Sequence, residues 1–328
     1  MSFKFLSLCG FDQLEAFINK TYVLQNMCNN CETRPVFKLH SGEKLCNKHF
    51  LGYFEKKVRK TIRVHKLIDS GDKIGVAVSG GKDSLTVLDL LHSIFKNNEK
   101  IEFVAILIDE GIEGYRDESI KRAQAFCEKL GVELDITSYK DEYGFKLDDV
   151  VEGKKPCSVC GVLRRDILNQ RAKTLGVTKL ATGHNLDDEA QSIIMNQFRN
   201  NIEASARLGP MTGLADNKAF VQRIKPLYFV TEKEVMTYAF LKGIVDEFNE
   251  CPYNQVSYRN HVREFLNRFE EMYSGTKHAI INSFMETVPV LKEKYKEKGL
   301  TLNECTRCSG PTSKDVCQKC VILEQIKP

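Results

Sequence analysis

Ser79-Gly80-Gly81-Lys82-Asp83-Ser84 stands between an apolar run, Lys73 to Val78, and a helix-like stretch, Ser84 to Phe95. A strand that ends in a glycine pair and passes straight into a helix presents bare backbone N–H groups and a helix N-terminus, which together seat a polyphosphate. Gly80 and Gly81 let the backbone approach closely, and Lys82 adds a point charge. The spacing is not that of the Walker loop, which needs four residues between its first glycine and Gly-Lys-Ser/Thr.

Outward from this loop, short apolar runs alternate with amphipathic stretches from Asp72 onward. Strands are predicted at Lys73 to Val78, Ile101 to Ile108, Val132 to Thr137 and Lys179 to Thr182. Helices are predicted at Ser84 to Phe95, Tyr115 to Leu130 and Gly161 to Leu175. The alternation predicts an α/β fold with a parallel, doubly wound sheet. Gly209-Pro210 and Lys225-Pro226 bracket sequence that reads as irregular, and helical pattern resumes over Thr231 to Leu241 and Ser257 to Lys294.

Two further stretches belong at the carboxyl edge of that sheet. Ile108-Asp109-Glu110-Gly111 ends the second strand, which puts Asp109 where an adenosine would sit. Gly183-His184-Asn185-Leu186-Asp187-Asp188-Glu189 ends the fourth. Its adjacent carboxylates suit a magnesium ion shared with phosphate oxygens, or a proton acceptor. The plain alternative is an acidic first helical turn favoured by the macrodipole.

The 328 residues are 42% apolar and 28% charged, with no run long enough to span a bilayer, so no membrane role is expected. Residues 1–26 are moderately apolar but interrupted by Asp12, Glu15 and Lys20, and do not read as a secretory signal. They read as an appended helix of unassigned use or a start-site artefact. Twelve cysteines, many at C-x-x-C spacing, point to metal rather than disulfides and hence to a reducing cytoplasm.

Cys28, Cys31, Cys46 and His49 form two knuckles with three sulfurs and one imidazole, and Cys305, Cys308, Cys317 and Cys320 give four sulfurs. Both sets suit closed structural zinc sites. Filling them would bring the formal charge from +4 to about +1. Attraction to nucleic acid then depends on where cations sit. Leu51 to Ile68 places Phe54, Val58 and Ile62 on one helical stripe with Lys56, Lys57, Arg59, Lys60, Arg63 and Lys66 around it, a face suited to an RNA backbone.

Cys157 and Cys160 differ, forming a single C-x-x-C just before a helix with Cys251 as the one candidate partner. Three thiolates can hold three corners of a four-iron cluster and leave one iron open. A persulfide resolved by a second cysteine is the rival chemistry, and would need low-pKa, exposed thiols. Cys9 and Cys127 read as small buried apolar residues.

The loop, the isolated cysteines and the terminal knuckles together resemble the two-zinc-finger tRNA 2-thiouridine synthetases, a branch of the pyrophosphate-loop tRNA thiolases. The likeness runs from Cys28 to Cys320 and is most specific at Ser79 to Ser84, at Cys157-Ser158-Val159-Cys160-Gly161, at Gly183 to Glu189, and at Cys308-Ser309-Gly310-Pro311-Thr312-Ser313. It implies an adenine nucleotide alpha-hydrolase-like sheet flanked by zinc fingers. It also implies a reaction in which ATP adenylates the C2 oxygen of a uridine, at the wobble position or alternatively in the T-loop, and sulfur displaces AMP. The implied cofactors are ATP, Mg2+, two Zn2+ and one 4Fe-4S cluster with an open iron.

Carried over residue by residue, the resemblance gives Cys157, Cys160 and Cys251 to the cluster. Ser79, Gly80, Gly81, Lys82, Asp83 and Ser84 go to pyrophosphate and magnesium, Asp109, Gly183 and His184 to the nucleotide, and Asp188 to a catalytic carboxylate. Arg164, one helical turn beyond Cys160, faces the cluster or the RNA. The implied partners are tRNA and a sulfur donor, which is a ubiquitin-like thiocarboxylate protein, a persulfide or sulfide. A homodimer is compatible with the resemblance, though periodicity marks no interface.

The expected division is an extension at 1–26, a zinc finger at 27–50, a basic linking helix at 51–71, an ATP-binding catalytic domain at 72–250, a helical part at 251–300 that completes the active site, and a second zinc finger at 301–328. Two other readings stay open, an adenylating ligase without sulfur transfer and an RNA-binding zinc scaffold. The first does not require Cys157, Cys160 and Cys251, and the intact loop argues against the second, whose ATP site would be degenerate.

Overall fold

The computed structural model describes residues 27–151, 156–213, 219–244, 251–254, 257–296 and 303–326, so the readings made on residues 1–26, Cys9 among them, lie outside the described residues. The chain divides into two units, residues 1–56 and 57–328. In the first, Phe37–Lys38 (β1) pairs antiparallel with Lys44–Leu45 (β2), and Phe37 packs on Phe50 with ring centroids 4.7 Å apart. Helix Asn47–Val64 (α1) begins four residues before the predicted start and ends four before the predicted end. Its stop has a local cause, since Lys66 takes a φ of +48°, a left-handed conformation that ends a helix. The predicted stripe holds: Phe54, Val58 and Ile62 are buried, while Lys56, Arg59, Lys60 and Arg63 are exposed.

The second unit is built on five strands, Lys73–Val78 (β3), Glu102–Asp109 (β4), Glu133–Ser138 (β5), Lys179–Ala181 (β6) and Gln222–Ile224 (β7). They form one sheet in the order β5-β4-β3-β6-β7, with every neighbouring pair parallel. Val104 to Ile108 are buried without a break, as both faces of a parallel sheet must be. Lys82–Phe95 (α2) and Arg116–Leu130 (α3) cover one face. After Tyr139–Tyr143 (α4) and Leu147–Val150 (α5), Pro156–Thr174 (α6) covers the other, where Leu163 and Ile167 pack on Val104, Ile106 and Ile108.

Strand order reverses between β3 and β6, and ligands of open α/β sheets bind at such a switch point beyond the strands' carboxyl ends. Leu186–Phe198 (α7), Ile202–Ala206 (α8) and Glu232–Leu241 (α9) follow on that side. The span predicted as helical from Ser257 to Lys294 is two helices, Tyr258–Met272 (α10) and Thr276–Lys296 (α11). Gly275, at φ +95°, makes the break, and the Glu270 carboxylate caps the second helix by accepting Gly275 N–H (2.7 Å) and Lys277 N–H (2.8 Å). Val262, Leu266, Ile281 and Phe284 then close a second core against Leu186, Ala190 and Ile193.

A short hairpin, Asn303–Glu304 (β8) with Pro311–Thr312 (β9), leads to Gln318–Ile326 (α12). Ile322 and Ile326 of α12 join the core that α6 forms on the sheet, and Lys319 pairs with Asp166 of α6 at 3.0 Å. Each isoleucine contributes roughly 1.5–3 kcal/mol by its burial.

Candidate functional site

The hexapeptide folds as its composition dictates. Gly80 sits at φ +77°, and a Cβ there would lie 2.1 Å from the Ser119 carbonyl oxygen, so no side chain fits. Gly81 is the N-cap of α2 and makes no side-chain cap bond, which leaves the first N–H groups of the helix bare. Ser84 Oγ accepts Ser79 N–H (3.0 Å) and donates to the Gly81 carbonyl (3.0 Å), closing the loop on itself. Two arginines brace it from α3. Arg116 donates to Ser79 O (3.0 Å) and to Ile108 O, and Arg122 donates to Gly80 O (3.1 Å).

Lys82 Nζ lies 2.8 Å from Asp83 and 3.2 Å from Glu232. Burial works against its charge, but the two carboxylates outweigh it and hold the ammonium above its ordinary pKa.

The end of β6 lies against this loop. A Cβ on Gly183 would come within 2.9 Å of the Asp83 and Ser84 backbones, and Asn185 Nδ2 donates to Asp83 Oδ1 at 3.1 Å. Of the three consecutive carboxylates read as functional, two are committed elsewhere. Asp187 is buried against Lys277 and also accepts Glu232 N–H (2.8 Å), and Glu189 forms a buried pair with Lys225 at 2.7 Å. Asp188 has no lysine partner among the described residues and is a third exposed, with Arg259 4.0 Å away. Burial first and the Asp83 charge second push its carboxyl up to about 7. Two crowded carboxylates with hard oxygen donors are the donor set a magnesium ion relieves. His184 bonds Thr182 Oγ1 (2.9 Å); burial, then Lys225 and Arg259, hold its pKa well below the usual value.

Asp109 ends β4 as predicted, but its carboxylate accepts Gly111 N–H (2.8 Å) and shapes the turn. Its neighbour Glu110 is the buried residue, 2.5 Å from Arg116 Nε and 3.4 Å from Arg164 Nη1. Sequence reading missed both Glu110 and Arg116. The signal available was an arginine on the first turn of α3, which opposes the helix dipole and so requires a local reason.

Helix α6 starts at Pro156, not Gly161, so Cys157 and Cys160 lie in its first turns rather than ahead of it. Pro at the first helical position was the overlooked marker. Cys157 is exposed, and its Sγ reaches the Tyr253 carbonyl at 3.4 Å, which draws the segment of Cys251 to the same place. Cys160 and Cys251 both pack against the core under α6, and Tyr139 Oη donates to the Cys160 carbonyl (2.9 Å). Arg164 is half-exposed between Glu110 and Cys160. Burial opposes its charge, and Glu110 then Cys160 hold it firmly protonated. Burial pushes the Cys160 thiol up to about 11 and raises that of Cys251 as well. Cys127 is buried as expected, also at about 11.

Sulfur spacing separates the three cysteine groups. Four ligands at a Zn–S distance of about 2.3 Å in a tetrahedron stand about 3.8 Å apart. Cys31 and Cys46 are 3.6 Å apart, Cys308 and Cys317 3.6 Å, and Cys305 and Cys320 3.9 Å. His49 Nδ1 lies 3.3 to 3.4 Å from the sulfurs of Cys28, Cys31 and Cys46. The ligand atoms of each set all fall within 4.8 Å of one another, whereas those of Cys157, Cys160 and Cys251 do not form such a group. The two terminal sets fit one ion each.

Residues 53–270 match the protein family described as the PP-loop domain. The tRNA 2-thiolation protein NcsA of Haloferax volcanii is 38% identical over 92% of this chain and 99% of its own. The tRNA-5-methyluridine(54) 2-sulfurtransferase of Pyrococcus horikoshii is 36% identical over 89% of this chain and 92% of its own. The solved U34-tRNA thiolase NcsA from Methanococcus maripaludis, with its 4Fe-4S cluster, has a TM-score of 0.79 at 33% identity, covering 92% of this chain and 97% of that one.

Proposed function

The chain belongs to the PP-loop tRNA 2-thiolation proteins, and on that premise we propose that it spends ATP to activate the C2 oxygen of a tRNA uridine and then replaces that oxygen with sulfur. One observation carries the assignment of residues: the phosphate loop and the cysteine helix are joined at a single sheet edge through Glu110, which pairs with Arg116 under the loop and with Arg164 beside Cys160. Activation and sulfur delivery therefore address the same base.

The N–H groups of Gly80 and Gly81, with Lys82, receive the departing pyrophosphate, and Asp83 with Ser84 would hold a magnesium ion that neutralises phosphate charge. A urea-like C2 oxygen is a poor leaving group, so its transfer to the α-phosphorus precedes substitution. Asp188, the one of the three carboxylates not tied to a lysine, takes the uridine N3 proton as that bond forms. Sulfide-level sulfur then bonds to C2 as the C2–O bond breaks and AMP departs; a persulfide donor would reach that level only with two electrons from a second thiol, which ends as a disulfide. Cys157, Cys160 and Cys251 would hold the cluster, which supplies one iron with a free coordination position for a sulfur donor of the sulfide, persulfide or thiocarboxylate class. Arg164 balances the half-buried Cys160 thiolate that this ligation would require. Zinc in the two terminal sets is structural, since all four positions are protein ligands.

The wobble uridine is the proposed target, in line with the fold similarity to the U34 thiolase. The cytoplasm is the proposed location, on the thiol chemistry; among the described residues no helix is long and apolar enough to cross a membrane. The test is anaerobic reconstitution with ATP, sulfide and unmodified tRNA, followed by mass spectrometry of position-mapped nucleosides. We expect 2-thiouridine at the wobble position and none with Lys82→Ala. Thiolation in the T-loop would overturn the target, and an active Lys82→Ala would overturn the mechanism.

A further inference from the structure

Most cations near the site have a carboxylate. Arg116 and Arg164 share Glu110, Arg171 pairs with Asp135 at 2.5 Å, Lys225 with Glu189, and Lys277 with Asp187. Arg165 on α6 and Arg223 on β7 have no carboxylate within ion-pair distance among the described residues. They are nonetheless brought together. Arg223 Nη2 reaches the Arg165 carbonyl at 3.5 Å, and the Arg165 guanidinium folds back over Gly161, whose Cβ position lies 3.3 Å from Nη1.

The framework around them is built. Asn169, one turn along α6, accepts Val221 N–H (2.9 Å) and donates to the Ala219 carbonyl (3.2 Å), fixing the chain that enters β7. Arg223 itself is paired in register with Leu180 of β6.

Two arginines on adjoining elements, neither matched by a carboxylate, leave local positive charge that an anion would balance. Burial first, then Arg165 and Arg164, lower the Arg223 pKa to about 10, and Arg165 is lowered by burial and by Arg164. The ATP phosphates do not answer this need. Their loop follows β3, and β6 stands between β3 and β7. His184, at the end of β6, feels Lys225, Arg259, Arg164 and Arg223 together, so these cations gather around the end of that strand.

We propose that Arg165 and Arg223 form a clamp for a backbone phosphodiester of the substrate tRNA beside the uridine being modified. The inference rests on the tRNA 2-thiolation reading. A planar guanidinium meets phosphate oxygens through two parallel N–H bonds, and two such groups on different elements fix position as well as charge. The pair sits across β6 from the nucleotide loop, so the clamp holds the RNA while ATP occupies its own seat.

The test uses the full chain carrying Arg165→Gln, Arg223→Gln and, as a charge-preserving control, Arg223→Lys, each checked for an unchanged melting temperature. Binding of an unmodified tRNA transcript is followed by fluorescence anisotropy across a potassium chloride series, and ATP affinity is measured separately. Each glutamine variant is expected to weaken tRNA binding by roughly three- to tenfold and to lower the slope of log K against log salt by about one. Arg223→Lys should keep the wild-type slope, and ATP affinity should stay unchanged in all three. An unchanged tRNA slope in both glutamine variants overturns the clamp, and so does a loss confined to ATP affinity. The same holds if tRNA binding is intact but sulfur transfer from an acidic protein donor is weakened, since that assigns the pair to a protein partner. If wild-type protein binds no tRNA at all, the 2-thiolation reading itself falls, an outcome distinct from failure of the variants alone.

Discussion

Glu110→Gln leaves the Arg116 guanidinium buried without the carboxylate that now stands 2.5 Å from its Nε. Both side chains are nearly inaccessible, at 5% and 3% exposure, so water cannot replace the lost charge. Removing one partner of such a pair costs about 3–5 kcal/mol. At roughly 2–4 °C per kcal/mol for a unit of this size, even the lower figure implies a fall in melting temperature of about 6–12 °C. The effect should reach function as well, because Arg116 also holds the Ser79 carbonyl under the phosphate loop. A rise in KM for ATP is expected alongside the thermal loss.

Stability alone does not identify the cause, so the assay is a double-mutant cycle with Arg116→Gln, read by calorimetry. The double variant removes both charges and should be less destabilised than the sum of the single variants by about 2 kcal/mol or more. Arg164 remains near the site to engage Glu110 in the Arg116 variant, which makes Glu110→Gln the harsher single change. Additivity within about 0.5 kcal/mol would refute the shared-carboxylate reasoning.

Asp188→Asn carries a pH signature. The carboxyl of Asp188 is raised to about 7 in the fold, so the native state binds its proton more tightly than the unfolded chain does, and its stabilising contribution is lost as pH rises through 7. In thermal scans of ligand-free protein, the variant should gain on wild type between about pH 5 and pH 8, on either side of that midpoint; parallel curves would count against it. Gly183→Ala forces a Cβ to within 2.9 Å of the Asp83 and Ser84 backbones. Overpacking there should cost about 1–3 kcal/mol and raise KM for ATP, and an unaltered KM would show the contact to be slack. Elemental analysis should find two zinc ions per chain, and Cys308→Ser should lose one and melt earlier, because the knuckle carries α12 onto α6. Full zinc occupancy in that variant would disprove the ligand assignment.

Much of this architecture was open to reading because it depends on local chemistry. β3 matches its prediction residue for residue, and β4 and β5 shift by one, since buried parallel strands are runs of apolar residues with turn signals at both ends. β7 was unreadable: Gln222-Arg223-Ile224 has neither length nor alternation and is a strand only because β6 offers it a partner. The carboxylates after Gly183 illustrate the other limit. Sequence marks Asp187, Asp188 and Glu189 alike, and which one is free is decided by Lys277 and Lys225, residues far along the chain. Cys251 was paired with Cys157 and Cys160 by exclusion, whereas the contact that draws it there runs through the Tyr253 backbone.

Lys82 enters the cycle already occupied, gripped by Asp83 on its own helix and by Glu232 from α9. Nucleotide loading is therefore an ion exchange: phosphate oxygens must displace two carboxylates from the ammonium, and those carboxylates must be given another cation. Bare phosphate brings none and competes poorly, whereas magnesium-bound ATP carries the replacement with it. The loop thus discriminates by the completeness of the incoming salt, and its affinity for nucleotide should collapse when magnesium is withheld even though no step of phosphoryl chemistry has begun.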